Sequence, residues 1–129
     1  MNVVDSCGWL SYFTQDGNAD FFAPVIEDCP HLLVPGIVVY EVCKRLHHLY
    51  GAEKHDLGLR YLKKGRFATM DLDVFVKAAF AAKQYQLHMA DALIWQTAQI
   101  HQATLYTQDA AFVGMPGVVY QAKPALGVE

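Results

Sequence analysis

Apolar and polar positions follow two rhythms along this chain. Short β-branched runs that stop at a polar or turn residue predict strands, and spacings of three and four predict helices. The first run, Met1-Asn2-Val3-Val4, goes straight into Asp5-Ser6, and a helix-like stretch over residues 7–13 follows. A strand with no polar face reads as a buried strand of a parallel sheet. Gln15-Asp16-Gly17-Asn18 signals a turn. Residues 19–28 form a helix whose start Pro24 restricts. His31-Leu32-Leu33-Val34, ended by Pro35-Gly36, is the second strand.

Residues 37–50 make a helix with Val38, Val42, Arg45, Leu46 and Leu49 on one face, Pro35 at its start and Gly51 closing it. Residues 53–64 make another, with Leu57, Tyr61 and Leu62 inward and Gly65 at its end. The third strand lies in residues 66–70, and Asp71 and Asp73 open a helix over residues 74–86. A helix over residues 88–98 carries Asp91 in its first turn. The fourth strand, residues 103–107, ends at Gln108-Asp109. A helical turn at residues 110–113 leads to a fifth strand, Val118-Val119-Tyr120, and a loose tail to Glu129. Strands alternating with helices predict an α/β fold with a mostly parallel five-stranded sheet and helices on both faces.

Composition narrows the class. The 129 residues suit a single domain spanning 1–129. At 53 % hydrophobic and 18 % charged residues, the chain can fill a core. The first ten residues contain Asp5 and no basic segment, so no signal peptide is expected. No apolar run approaches the roughly 20 residues of a membrane span. Cys7, Cys29 and Cys43 are odd in number and form no CxxC pair, which suits a reducing cytoplasm.

Four acids stand out. Each has an ordinary explanation. Asp5 can cap the helix after the first strand, and Glu41 can pair with Arg45 one turn on. Asp91 suits a helix dipole, and Asp109 suits a turn. Taken together they point elsewhere. Asp5 and Asp109 follow strands directly, and a parallel sheet puts all strand C-termini on one edge, where such sheets bind ligands. Asp91 reaches that edge if its helix runs back against the strands. Glu41 lies one and a half turns into the helix after the second strand, amid Val38, Val39, Val42 and Leu46. Carboxylates gathered there repel unless a cation neutralises them, and oxygen donors suit Mg²⁺ or Mn²⁺.

These residues resemble the PIN-domain ribonucleases and, within them, the VapC toxins of bacterial toxin–antitoxin pairs. The carriers are Val3-Val4-Asp5-Ser6, Val38-Val39-Tyr40-Glu41-Val42, Asp91-Ala92-Leu93-Ile94 and Leu105-Tyr106-Thr107-Gln108-Asp109-Ala110-Ala111-Phe112. The resemblance implies a PIN-like three-layer sandwich. It implies a Mg²⁺- or Mn²⁺-dependent endoribonuclease holding one or two ions on Asp5, Glu41, Asp91 and Asp109, with Ser6 and Thr107 supporting them. It also implies 5′-phosphate products, a cognate antitoxin laid over the acids, and a homodimer. Two departures concern Ala111, where some relatives carry an acid, and Trp95, which is bulkier than the usual residue and predicts a modified groove.

The formal charge of −3 is unusual for an RNA binder. Two divalent ions bring it to +1. Lys44, Arg45, His47 and His48 on one helix, and Lys54, Arg60, Lys63, Lys64 and Arg66 on and after the next, can steer phosphates or simply be solvated. His47, His48 and His55 have spacings that fit no tight chelate. Trp9, Phe13, Phe75 and Phe80 read as core. Two alternatives remain. One is a phosphoacceptor receiver-like domain, with Lys123-Pro124 after the fifth strand. The other is a PIN-like module that binds without turnover.

Overall fold

The computed structural model describes residues 1–124. Five short strands are present: β1 Asn2–Val4, β2 Leu33–Pro35, β3 Arg66–Ala68, β4 Thr104–Thr107 and β5 Val118–Tyr120. Every pairing is parallel: β1 with β4, β4 with β5, and β2 with β3. The expected five-stranded sheet is hydrogen-bonded as three strands, β1-β4-β5, and two, β2-β3. One parallel bridge, Asn2 to Leu32, spans the seam. Read across it, the order is β3-β2-β1-β4-β5. Receiver-like sheets run 2-1-3-4-5, so the receiver alternative does not describe this chain.

Successive strand residues face opposite sides of a sheet. Val3 and Val4 are both fully buried, as are Leu33, Val34 and Pro35. Both faces of the central strands are therefore covered. Helices α1 Ser6–Thr14 and α2 Ala19–Glu27 pack on β1, α3 Gly36–Tyr50 on β2, and α6 Met89–Ile100 on β4. Helix α4 Ala52–Leu62 forms a hairpin with α3, and α5 Leu72–Tyr85 packs against α6. Gly51, at φ 82°, makes the α3–α4 break that a glycine there predicts. Among the described residues no helix is long and apolar enough to cross a membrane.

Several expectations shift. Pro24 lies inside α2 rather than at its start; the helix forgoes one hydrogen bond and is held by buried Phe22, Val25 and Ile26. Residues 29–31 form a 3-10 turn, and Pro35 belongs to β2 instead of ending it. Leu57 and Leu49 are exposed; α4 buries Leu62 as expected, together with Gly58 rather than Leu57. A Cβ on Gly58 would collide with Leu46, so the glycine sets how closely the hairpin closes. Phe75 and Phe80 are also exposed, whereas Trp9 is buried and Phe13 packs on the core. Of the loose tail expected after Tyr120, residues 125–129 lie outside the described residues.

Candidate active site

The strand ends and the start of α6 determine where the four acids go. Asp5 follows β1 and caps α1: its Oδ1 accepts the Gly8 N–H at 2.9 Å. Helix α1 closes tightly on β1 because residue 8 is glycine; a Cβ there would lie 2.5 Å from Val4 Cγ1 and 2.6 Å from Phe22 Cε1. The other oxygen of Asp5, Oδ2, accepts the Thr107 hydroxyl at 2.5 Å. Thr107 ends β4, is fully buried, and its Oγ1 accepts the Asp109 N–H at 2.9 Å. Thr107 thus ties the ends of neighbouring strands together. Asp109 then caps the following 3-10 turn, Ala110–Phe112, through the Ala111 N–H at 2.9 Å. The capping reading of Asp5 and Asp109 holds, and Thr107 links the two acids.

Glu41 does not form an ion pair with Arg45. It accepts the Ser6 hydroxyl at 2.7 Å, so the first residue of α1 holds the α3 acid toward Asp5. Asp91 is the third residue of α6, half-buried. Helix α6 runs back to β4 through Ala103, which puts its N-terminus on the edge where the parallel strands end.

The electrostatics link all four. The Asp5 carboxyl is pushed up to about 7, chiefly by burial, with Asp109 and Asp91 adding to the effect and the Thr107 and Gly8 hydrogen bonds opposing it. Burial also raises Asp91, to about 6, with Asp109 and Glu41 adding to the effect and His88 opposing it. Among the described residues no lysine or arginine forms an ion pair with any of the four. Nor are any three His, Cys, Asp or Glu side chains there gathered tightly enough to hold a metal ion as they stand. The four acids share one field without closing on a single point. That arrangement suits a hydrated Mg²⁺, which keeps several waters and takes one or two carboxylates directly. The donor set is all oxygen, and the raised proton affinities reflect burial first and the neighbouring carboxylates second. The residues therefore fit a hard divalent ion.

The neighbours sort themselves out. Trp95 is buried, packs on Tyr85 with ring centroids 5.2 Å apart, and donates to the Pro116 carbonyl at 3.0 Å. Its bulk goes into the core, not into a groove. Cys7 is pushed up to about 11 by burial and then by Asp5, so its thiol stays protonated and unreactive. His47 and His55 meet edge to face, ring centroids 5.9 Å apart. The sequence reading missed one support. Gln108 is buried, its Oε1 accepting from Asn18 Nδ2 at 2.8 Å, and Asn18 also donates to the Ala122 carbonyl at 3.0 Å. These bonds anchor the strand end between Thr107 and Asp109. Their only sequence signal was amide residues beside a turn and an acid.

The fold has known counterparts. The PIN domain family profile matches residues 3–117. The sequence has no match among curated proteins. Among solved structures, a toxin–antitoxin complex from Klebsiella pneumoniae is similar at TM-score 0.81 and 21 % identity, covering 96 % of this chain and 100 % of that one. A DNA-bound VapBC from Salmonella typhimurium gives 0.74 at 10 % identity, over 95 % and 98 % of the two chains. The VapC20 toxin of Mycobacterium tuberculosis, described as cleaving the Sarcin-Ricin loop, gives 0.68 at 12 % identity, over 83 % and 87 %. Identities this low establish a shared fold. The family profile spans most of the sequence, and with it the chain belongs to the PIN-domain family.

Proposed function

We propose that this protein is a Mg²⁺- or Mn²⁺-dependent endoribonuclease of the VapC type, the toxin of a toxin–antitoxin pair. The observation that carries the reading is one shared electrostatic field on Asp5, Glu41, Asp91 and Asp109, at the strand-end edge of a PIN fold. Similarity to structures of toxin–antitoxin complexes and of an RNA-cleaving toxin supports it.

Asp5 and Asp91 would be the principal ligands of one or two ions. Their proton affinities are raised chiefly by burial, and the neighbouring acids add to the effect. Glu41 and Asp109 complete the set or orient the attacking water. A bound divalent ion supplies Lewis-acid polarisation of the phosphate and a more acidic water. Ser6 fixes the Glu41 carboxylate, leaving one Glu41 oxygen for the site. Thr107 fixes Asp5 and the backbone of Asp109 together. The products expected are 5′-phosphate and 3′-hydroxyl ends. A cognate antitoxin covers the acids and keeps the enzyme silent, and the working unit is a homodimer.

The wide spacing of the acids favours one second reading, a PIN-like module that binds RNA or protein without turnover. Incubating total RNA with the protein and Mn²⁺, and mapping the new ends, separates the two. Discrete 5′-phosphate ends that vanish with Asp91→Asn support the nuclease. Binding with no new ends at high enzyme concentration supports the module.

A further inference from the structure

We propose that the exposed face of α3 beyond Glu41 is the track for single-stranded RNA, with Arg45 and Lys44 holding phosphates and Tyr40 stacking a base. The inference rests on the nuclease reading for the identity of the substrate, and the surface itself is defined by geometry. Tyr40, Glu41, Lys44, Arg45, His47 and His48 line one hollow of about 620 Å³. Lys44 and Arg45 lie three and four residues after Glu41, and His48 lies four and three residues after them, so the four share a helix face. That face runs ~10 Å from the acid site at 1.5 Å per residue.

Arg45 is the central residue. It also lines a second hollow with Cys7, Asp16 and Gln108, so it stands where the α3 face meets the flank of the acid site. Its obvious partner, Glu41, is engaged by Ser6. Among the described residues neither Arg45 nor Lys44 has an ion-pair partner. An unpaired guanidinium one helical turn from Glu41, in the same hollow, is suited to an RNA phosphate, which it can grip with two N–H donors. Tyr40 is 60 % exposed, and Lys44 Nζ lies 5.7 Å from its ring centroid. A cationic groove with an exposed aromatic ring is the usual means of holding unpaired bases. The overall charge of −3 is no obstacle, because the positive groups lie together along the approach to the site.

The test is fluorescence anisotropy with a labelled single-stranded oligoribonucleotide. The full chain is used in EDTA and, separately, as Asp5→Asn in Mg²⁺, so that no cleavage intervenes. Arg45→Ala and Lys44→Ala should each weaken binding about tenfold. The double variant should flatten the logarithmic salt dependence by about 1.4, at ~0.7 per lost phosphate contact. Tyr40→Ala should cost about fivefold or more. Arg45→Lys should recover part of the loss, and Lys83→Ala, on exposed α5, should change nothing. In cleavage assays Arg45→Ala should act mainly on KM. Unchanged affinity and salt slope in the Arg45 and Lys44 variants would overturn the track, as would an equal loss in Lys83→Ala. A surface that only a protein partner covers gives the first of those results. If RNA binds through Arg45 and Lys44 but is never cut, the nuclease reading falls and the track stands. If the parent cuts RNA and the variants bind and cut equally well, the track falls and the nuclease stands.

Discussion

The Thr107 hydroxyl donates to Asp5 Oδ2 at 2.5 Å, joining residues 102 positions apart in sequence. The same oxygen accepts the Asp109 N–H, so one buried side chain sets the relation between two of the four acids. Thr107→Val keeps the shape and removes both bonds. It should destabilise the fold by about 1–3 kcal/mol and lower cleavage, while Thr107→Ser should retain most of both. Urea unfolding and initial cleavage rates measure the two effects. A Thr107→Val protein as stable and active as its parent contradicts this role.

Asp5→Asn removes a charge that the fold disfavours. The amide oxygen can still cap α1 through the Gly8 N–H. Metal-free at pH 8, the variant should be at least as stable as the parent, and more stable by on the order of 1 kcal/mol or above, since a buried unpaired carboxylate is costly. Cleavage should disappear. A stability loss of several kcal/mol would mean that Asp5 is chiefly structural.

Metal-free stability should fall as pH rises. A folded carboxyl that holds its proton more tightly than the unfolded chain stabilises the fold while it is protonated. The contribution of Asp5 is fully present below its unfolded value near 3.8 and is lost as pH climbs toward about 7. The change is on the order of 4 kcal/mol. Asp91 acts in the same direction up to about pH 6. Chemical unfolding in EDTA from pH 4 to 8 should show the decline, and Mn²⁺ should restore stability at the alkaline end. Stability that increases from pH 5 to 8 in EDTA would contradict it.

Gly8 lets α1 sit against β1, with Val4 and Phe22 filling the space a side chain would take. Gly8→Ala should cost about 1–3 kcal/mol by overpacking. It should also displace Asp5, whose cap bond comes from the Gly8 N–H. Thermal unfolding and Mn²⁺ affinity measured on one preparation check both effects. A neutral outcome would show that the contact relaxes freely.

Much of the frame was legible in the chain because its signals are local. Val3-Val4 ending at Asp5, the Gly51 break and the fifth strand all follow from neighbouring residues. The errors share a cause in tertiary packing. Apolar spacing places Leu57 inward, but α4 buries Gly58 against Leu46, and no hydrophobicity count registers a glycine. Phe75 and Phe80 read as core, but α5 meets the core through Val74, Ala78 and Ala81. At the candidate site, the positions of Asp5 and Asp109 follow from strand ends, and those of Asp91 and Glu41 from their helices. The hydroxyls that orient them could not be derived from spacing, because Ser6 meets Glu41 across 35 positions and Thr107 meets Asp5 across 102. Resemblance alone singled out Ser6 and Thr107.

Four separated acids that share one field should bind a divalent ion jointly. Calorimetric titration of Mn²⁺ into the metal-free chain at pH 8 examines this, with Asp5→Asn and Asp91→Asn alongside. One or two ions per chain, bound at least ~10-fold more weakly by each variant, is the result expected. No binding by the parent, or binding that neither substitution weakens, would contradict a metal centre built from Asp5, Glu41, Asp91 and Asp109.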